Sequence, residues 1–279
     1  IRLALLAASL APGLEVEGLR HSADLQQIPE VTKDNSGYWF MHIPKTAGSS
    51  FRCDAMHLMK LRIEAFGEHG EYAGQRDFCT VSHNSARQVL TMVRDPRTHV
   101  YSQYTHCLTA PGNKPFGQES MPTNVTLWLE TNVRDAQLAA KSFHCGFNPQ
   151  NMQTERFSCG KGFDVAAKHL DEAFFVGVSE LYPESVCVLA SKVDGALPRG
   201  CNCEMRERMH LTSYAHDVQK HSLANLTAAD LALIDELTRE DVQLYDLARQ
   251  RLLREIAEVE AKHNVTIRCG PDAPRTMKR

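Results

Sequence analysis

The sequence lacks an excess of positive charge: 31 lysines and arginines stand against 34 aspartates and glutamates, a net charge of −3. That balance is not the signature of a chain that wraps nucleic acid through its phosphates, although it leaves room for a local basic cleft. No apolar run reaches the roughly 20 residues that cross a bilayer. The apolar stretch "LALLAASLAPGL", Leu3 to Leu14, reads either as the end of a truncated signal anchor or signal peptide or as an ordinary short helix. A chain that begins at Ile1 is expected to be a fragment or a processed form. Zinc needs two ligand pairs at short spacing, and only Cys201 and Cys203 stand close together, which makes a metal site an unfavoured reading. The nucleotide-binding signature GxxxxGK[ST] is absent as well.

What is present points to a lumenal protein. Nine cysteines are many for 279 residues, and their odd number leaves at least one thiol unpaired or paired outside this chain. Three glycosylation sequons occur, Asn124-Val-Thr126, Asn225-Leu-Thr227 and Asn264-Val-Thr266. Each alone carries little weight. Together with the cysteines and the apolar start they favour the secretory-pathway lumen, where disulfides form.

The length suits one domain with extensions. Residues 1–37 read as a stem or leader, 38–262 as the folded domain and 263–279 as a tail, basic beyond Cys269. "YWFMHI" is a continuous apolar run, as in a strand buried on both faces of a parallel sheet. Pro44 ends it, and helical spacing resumes through Phe51, Met56, Met59 and Ile63 before the loop "FGEHGEYAGQ". Further strands are expected at Gln88–Val93 and Ala173–Val178, each followed by a helix, with an insertion loop from Pro111 to Thr123. Strands alternating with helices indicate an α/β fold with a central parallel sheet flanked by helices. Thr227 and Asp230 have capping-box spacing. The apolar stripe after them, interrupted at Asp241, fits one long helix or two abutting ones, with a structural role.

Two stretches carry chemistry. In "HIPKTAGSSF" a strand turns into a helix, and a helix N-terminus offers unpaired N–H groups and the positive end of a dipole to an anion. Gly48 allows close backbone approach, Thr46, Ser49 and Ser50 supply hydroxyls, and Lys45 adds a charge at the mouth. "VRDPRTHVYSQYTH" leaves a second strand end and places Arg94 there, with Ser102 eight residues on. An arginine fork and a hydroxyl suit a second anionic group. Strand ends are where ligand crevices of open α/β sheets lie.

This pair of motifs resembles the nucleotide-binding motifs of the Golgi carbohydrate-type sulfotransferases, the branch that includes the heparan sulfate 2-O and 6-O enzymes. "FFVGVSELYPESVCVL", "DVQLYDLARQRL" and, more weakly, "NPQNMQTERFSCG" extend the likeness over roughly residues 38–256. The resemblance implies a P-loop-like three-layer sulfotransferase fold and 3′-phosphoadenosine 5′-phosphosulfate (PAPS) as co-substrate, without a metal. It implies that Lys45, Thr46, Ala47, Gly48, Ser49 and Ser50 hold the 5′-phosphosulfate, with Lys45 at the leaving group, and that Arg94 and Ser102 hold the 3′-phosphate. His83, just before the second motif's strand, matches the position where that branch often carries its catalytic histidine. His42, His106 and a carboxylate are the alternatives for the base.

The activity so implied is in-line transfer of a sulfuryl group to a carbohydrate hydroxyl by a type II membrane protein of the Golgi lumen. Its partner would be a glycan or glycoconjugate, not nucleic acid, and its membrane anchor would lie upstream. Sulfation of protein tyrosine or of a small molecule, or a non-catalytic glycan- or nucleotide-binding role on the same fold, are the competing readings.

Overall fold

The computed structural model describes residues 37–59, 63–65, 77–82, 88–109, 122–136, 148–212 and 221–270. Strand β1 (Tyr38–Met41) passes through residues 42–47 into helix α1 (Gly48–Met59). Then come β2 (Ile63–Ala65), α2 (Phe78–Ser82), β3 (Gln88–Val93), α3 (Pro96–Thr109) and α4 (Val125–Arg134). The second half holds α5 (Met152–Ser158), α6 (Phe163–Glu172), β4 (Phe175–Val178), α7 (Tyr182–Asp194), α8 (Ala228–Leu237) and α9 (Arg239–His263).

The fold is α/β. Strands β1, β3 and β4 make a three-strand parallel core, and the short β2 joins at the β1 side to give the order β2-β1-β3-β4. Tyr38 lies opposite Gln88 and Met41 opposite Thr91, while Val93 lies opposite Val178. All the strands therefore end at one edge. Successive strand side chains point to opposite faces, and Trp39, Phe40 and Met41, like Val89 to Val93, are all buried. Both faces are thus covered, which explains the unbroken apolar runs.

Phe51 of α1 is the clearest link between helix and sheet. It stacks on Phe175 of β4 at 5.6 Å between ring centroids and leans on Phe40 of β1 at 5.5 Å. A second apolar cluster joins α3, α4 and α8 through Val100, Tyr104, Trp128, Leu129 and Ile234.

Local expectations and tertiary structure agree at several points. β3 spans Gln88–Val93 as read from the sequence, and β4 covers the last four residues of its expected run. The Thr227–Asp230 capping box is formed. Of the two readings of the C-terminal stripe, the two-helix form is the one adopted, with Thr238 between α8 and α9.

Two readings differ. Ile63, assigned to the first helix by its spacing, opens β2 instead: α1 stops at Met59, and Ile63 pairs with Tyr38 in the sheet. Hydrogen bonding to a neighbouring strand outweighs helical periodicity there. The packed chain also continues past residue 262. Ile267 is fully buried, and Cys269 is bridged to Cys203. The expected insertion loop at 111–123 lies almost entirely outside the described residues.

Three disulfides are described, Cys79–Cys159, Cys187–Cys201 and Cys203–Cys269, and Cys107 is also disulfide-bonded. Cys53 on α1 belongs to none of these bridges. Such a framework suggests the secretory pathway or the cell exterior. No described helix is long and apolar enough to cross a membrane.

Phe51→Ala is expected to cost about 3–5 kcal/mol of unfolding free energy, as for other fully buried aromatic truncations. Leu58→Ala, seven residues on at a 39 % exposed position, is expected to stay within about 0.5 kcal/mol. Denaturant unfolding of the two variants measures the contrast, and equal losses would remove Phe51 from its place at the centre of the core.

Candidate functional site

The strand order places a switch point between β1 and β3. The chain leaves β1 toward β2 on one side and then crosses back to form β3 on the other. In open α/β sheets the crevice at such a point, outside the carboxyl ends of the strands, is where ligands bind. The loop after β1 and the turn after β3 are the two stretches singled out by their chemistry, and here they meet.

Residues 43–47 form a short loop whose carbonyls are all engaged. The Ile43 carbonyl accepts the Thr46 hydroxyl at 2.8 Å, and the Pro44 carbonyl accepts His99 Nε2–H at 2.8 Å. The Lys45 carbonyl accepts Arg94 Nη1 at 3.1 Å, and the Thr46 carbonyl accepts the Ser179 hydroxyl at 2.8 Å. The Ala47 carbonyl accepts Phe51 N–H, the first bond of α1.

The donors behave in the opposite way. Among the described residues no acceptor takes the N–H of Lys45, Thr46, Ala47 or Gly48. Thr46 and Gly48 are buried, so unmade hydrogen bonds there are costly until an acceptor from outside completes them. Lys45 and Ala47 both have φ near +66°, in the left-handed region. For residues with a Cβ this is strained, and such strain collects at ligand clamps. Alternation into the left-handed region also turns successive N–H groups into a concave anion nest. Helix α1 opens directly from it with no acidic residue in its first turn, so its dipole adds to the same field.

Gly48 also has a packing reason for being glycine. A Cβ there would lie 2.4 Å from the ring of His42. The His42 ring, itself tilted on Phe40 at 5.8 Å, packs against α1 where the helix leaves the loop. This contact fits an orienting role for His42. The Thr46 hydroxyl is likewise turned inward to Ile43, so Thr46 offers the cradle its backbone N–H.

Two cations share this corner. Burial, and then the nearby Arg94 charge, pull Lys45 down to about 8, and no carboxylate pairs with it among the described residues. Burial also lowers Arg94, while Glu180 and Asp95 pull the other way. Arg94 Nε donates to the Thr98 hydroxyl at 3.1 Å. Asp95 caps α3, its Oδ1 accepting Thr98 N–H at 2.9 Å, and its own N–H donates to Glu180 at 3.2 Å.

The backbone of Arg94 is held by Gln153 on α5, which accepts the Arg94 N–H at 2.9 Å and donates to its carbonyl at 2.8 Å. Asp241, fully buried on α9, in turn accepts the N–H groups of Gln153 and Thr154 at 3.2 and 2.7 Å. Burial pushes the Asp241 carboxyl up to about 6 against the pull of those donors.

Of the residues expected from the sequence, Lys45 through Ser50 form the loop and first turn of α1, and Arg94 is bonded directly to that loop. Ser102 is buried on α3, and its hydroxyl makes no hydrogen bond among the described residues. His106 lies on the same helix, half-buried. His83 lies outside the described residues. The one described group with metal-like spacing, Cys79, Cys159 and His169, has its two sulfurs bonded to each other, which leaves no thiolate ligand.

Four contributors were missed: His99, Gln153, Ser179 and Glu180. His99 and Gln103 stand at i and i+4 on α3, one helix face, beside the arginine motif. Ser179 and Glu180 directly follow β4, the third strand end at the same edge. Gln153 lies in the stretch "NPQNMQTERFSCG", whose weak family likeness did not single it out, because it reaches Arg94 only through tertiary packing. A scan against protein-family models and a search of curated proteins return no match to this chain.

His99 is fully buried, and burial above all, with Arg94 and Lys45 nearby, lowers its pKa from 6.5 to about 3. The ring is therefore neutral, with its proton on Nε2 for Pro44. A base whose folded pKa is depressed lends stability above its usual pKa and loses it as the pH falls through the folded value. Acid unfolding is thus expected to steepen between pH 6.5 and about 3, by up to about 1.4 kcal/mol per pH unit. His99→Gln should flatten that limb. A variant with an unchanged acid limb would show that the loop is not held by a neutral His99.

Proposed function

We propose that this protein is a PAPS-dependent sulfotransferase of the Golgi lumen, acting on a carbohydrate hydroxyl. The observation that carries the reading is the loop at residues 43–47, with every carbonyl bound to protein, the N–H groups of residues 45–48 without acceptors among the described residues, and the Arg94 side chain bonded to the Lys45 carbonyl. An elongated ligand with an anionic group at each end suits a cradle of this kind. The parallel sheet with helices on both faces is compatible with the three-layer sulfotransferase fold.

Sulfuryl transfer needs an in-line arrangement, removal of the acceptor proton and stabilisation of the leaving phosphate. The acceptor oxygen bonds to sulfur as the bond from sulfur to the phosphate oxygen breaks. The products are a sulfate ester and adenosine 3′,5′-bisphosphate, and the acceptor proton passes to a base. Lys45 and the N–H groups of the loop face the leaving phosphate, where charge grows. Arg94 holds the far phosphate with Ser102, and His83 is the base in this scheme. His99, Gln153 and Ser179 are positioning residues, since each acts on the loop or on Arg94.

Calorimetry with adenosine 3′,5′-bisphosphate tests the reading directly, and an absence of binding by the intact protein would end it. Lys45→Ala is expected to lower turnover by about 10²–10³, in the range of other lost charge-stabilising donors. Arg94→Ala should chiefly weaken nucleotide binding, by roughly 1.5–3 kcal/mol for a lost charged hydrogen bond. Lys45 carries its charge below about 8, so kcat/KM for PAPS should fall as the pH rises past that value. Lys45→Arg should move that limb to higher pH. A limb unmoved by the substitution assigns the titration to another group.

A further inference from the structure

Two of the three sequons converge on one carboxylate. Asp230, 2 % exposed near the start of α8, accepts the Thr126 hydroxyl on Oδ1 at 2.6 Å. Its Oδ2 accepts the hydroxyl and N–H of Thr227 at 2.7 and 2.9 Å. Thr126 and Thr227 are the third residues of Asn124-Val-Thr126 and Asn225-Leu-Thr227. The contact ties the first turn of α4 to that of α8, two helices that also share the apolar cluster around Trp128 and Ile234.

Both asparagines are exposed. Asn124 is the N-cap of α4, and its Oδ1 accepts the N–H of Thr126 at 2.9 Å and of Leu127 at 3.4 Å. The cap uses only the oxygen of the amide. Glycosylation replaces a hydrogen on Nδ2, so a glycan and the cap are compatible on the same side chain. Asn225 ends a single 3-10 turn, Leu223–Asn225, held by its backbone N–H on Ser222, and its side chain has no described partner.

We propose that Asn124 and Asn225 carry N-linked oligosaccharides, added before α4 and α8 dock, after which Asp230 takes up both sequon hydroxyls. In the transfer, the Asn Nδ2 loses one proton and bonds to the anomeric carbon of a polyprenyl-diphosphate oligosaccharide. The bond from that carbon to the diphosphate oxygen breaks, and polyprenyl diphosphate leaves. In the folded protein the two threonine hydroxyls are committed to a buried carboxylate, and the acceptor tripeptides are fixed in a helix cap and a turn. The modification therefore belongs to the nascent chain. The proposal is independent of the sulfotransferase reading and draws on the lumenal location that the disulfides suggest.

The test is expression of the full chain through a secretory pathway, removal of N-glycans by amidase in heavy-oxygen water, and peptide mass spectrometry. Both sites are expected to be recovered as labelled aspartate. Asn124→Asp, which keeps a carboxylate oxygen for the cap, and Asn225→Asp should each remove one glycan while the Cys79–Cys159 and Cys187–Cys201 bridges still form. Protein with those bridges but with either asparagine unmodified would overturn the pairing. For the timing, unglycosylated folded protein given oligosaccharyltransferase and donor should stay unmodified, whereas the unfolded chain should accept glycan. Modification of the folded protein would refute the order of events.

Discussion

The loop between β1 and α1 is held from outside itself. His99 on α3, the Arg94 side chain after β3 and Ser179 after β4 each bond to one of its carbonyls, and the Thr46 hydroxyl closes a fourth bond from within. Because the Pro44, Lys45 and Thr46 oxygens face protein, the N–H groups of the same peptides, those of Lys45, Thr46 and Ala47, face the other way. Peptide geometry does the rest: a planar unit whose C=O is fixed has its N–H direction fixed as well. The anion cradle is thus a consequence of where three strand ends sit, and the parallel register that brings them to one edge is a condition for the site.

The second motif depends on tertiary structure in the same way. Arg94 leaves β3 as the strand pairing ends, and both of its backbone groups are taken by Gln153. Gln153 is placed by Asp241, and Asn151 returns the contact by accepting the N–H of Glu240 at 3.0 Å. Two helix N-termini, of α5 and α9, therefore cap one another. Each satisfies donors that a buried helix start would otherwise leave unmade. The C-terminal helix reaches the Arg94 corner through this pair, and Tyr245 on the same helix donates to Glu180 at 3.2 Å.

How much of this was legible in the sequence depends on range. Strands β1, β3 and β4 were visible because both sheet faces are covered, so their residues run apolar without alternation. The loop drew notice because lysine, glycine and hydroxyls cluster where a strand becomes a helix, although the Thr46 hydroxyl turns inward to Ile43. β2 was not, since three residues beside a loop carry no period of their own, and the helical spacing through Ile63 pointed elsewhere. Asp241 interrupts the apolar stripe, and the cause lies 88 residues away at Gln153. His99 does not stand out among 13 histidines, because its burial and its bond to Pro44 are tertiary features.

The electrostatics of the corner explain why the site suits an anion more than the net charge of the chain suggests. Burial and then the Arg94 charge lower the Lys45 pKa, and Lys45 has no carboxylate partner among the described residues. Glu180 and Asp95 offset Arg94 alone. The loop thus holds a lysine without a carboxylate partner, strained φ angles at Lys45 and Ala47, and buried donors without acceptors, among the described residues. One phosphate placed against the N–H groups would relieve all three, by supplying charge to Lys45, acceptors to the donors and a use for the strained turn. Binding would then raise the Lys45 pKa from about 8, so ligand uptake and protonation of Lys45 are coupled through one anion. The net charge of −3 does not by itself decide whether this corner suits an anion, because burial strengthens each charge within it.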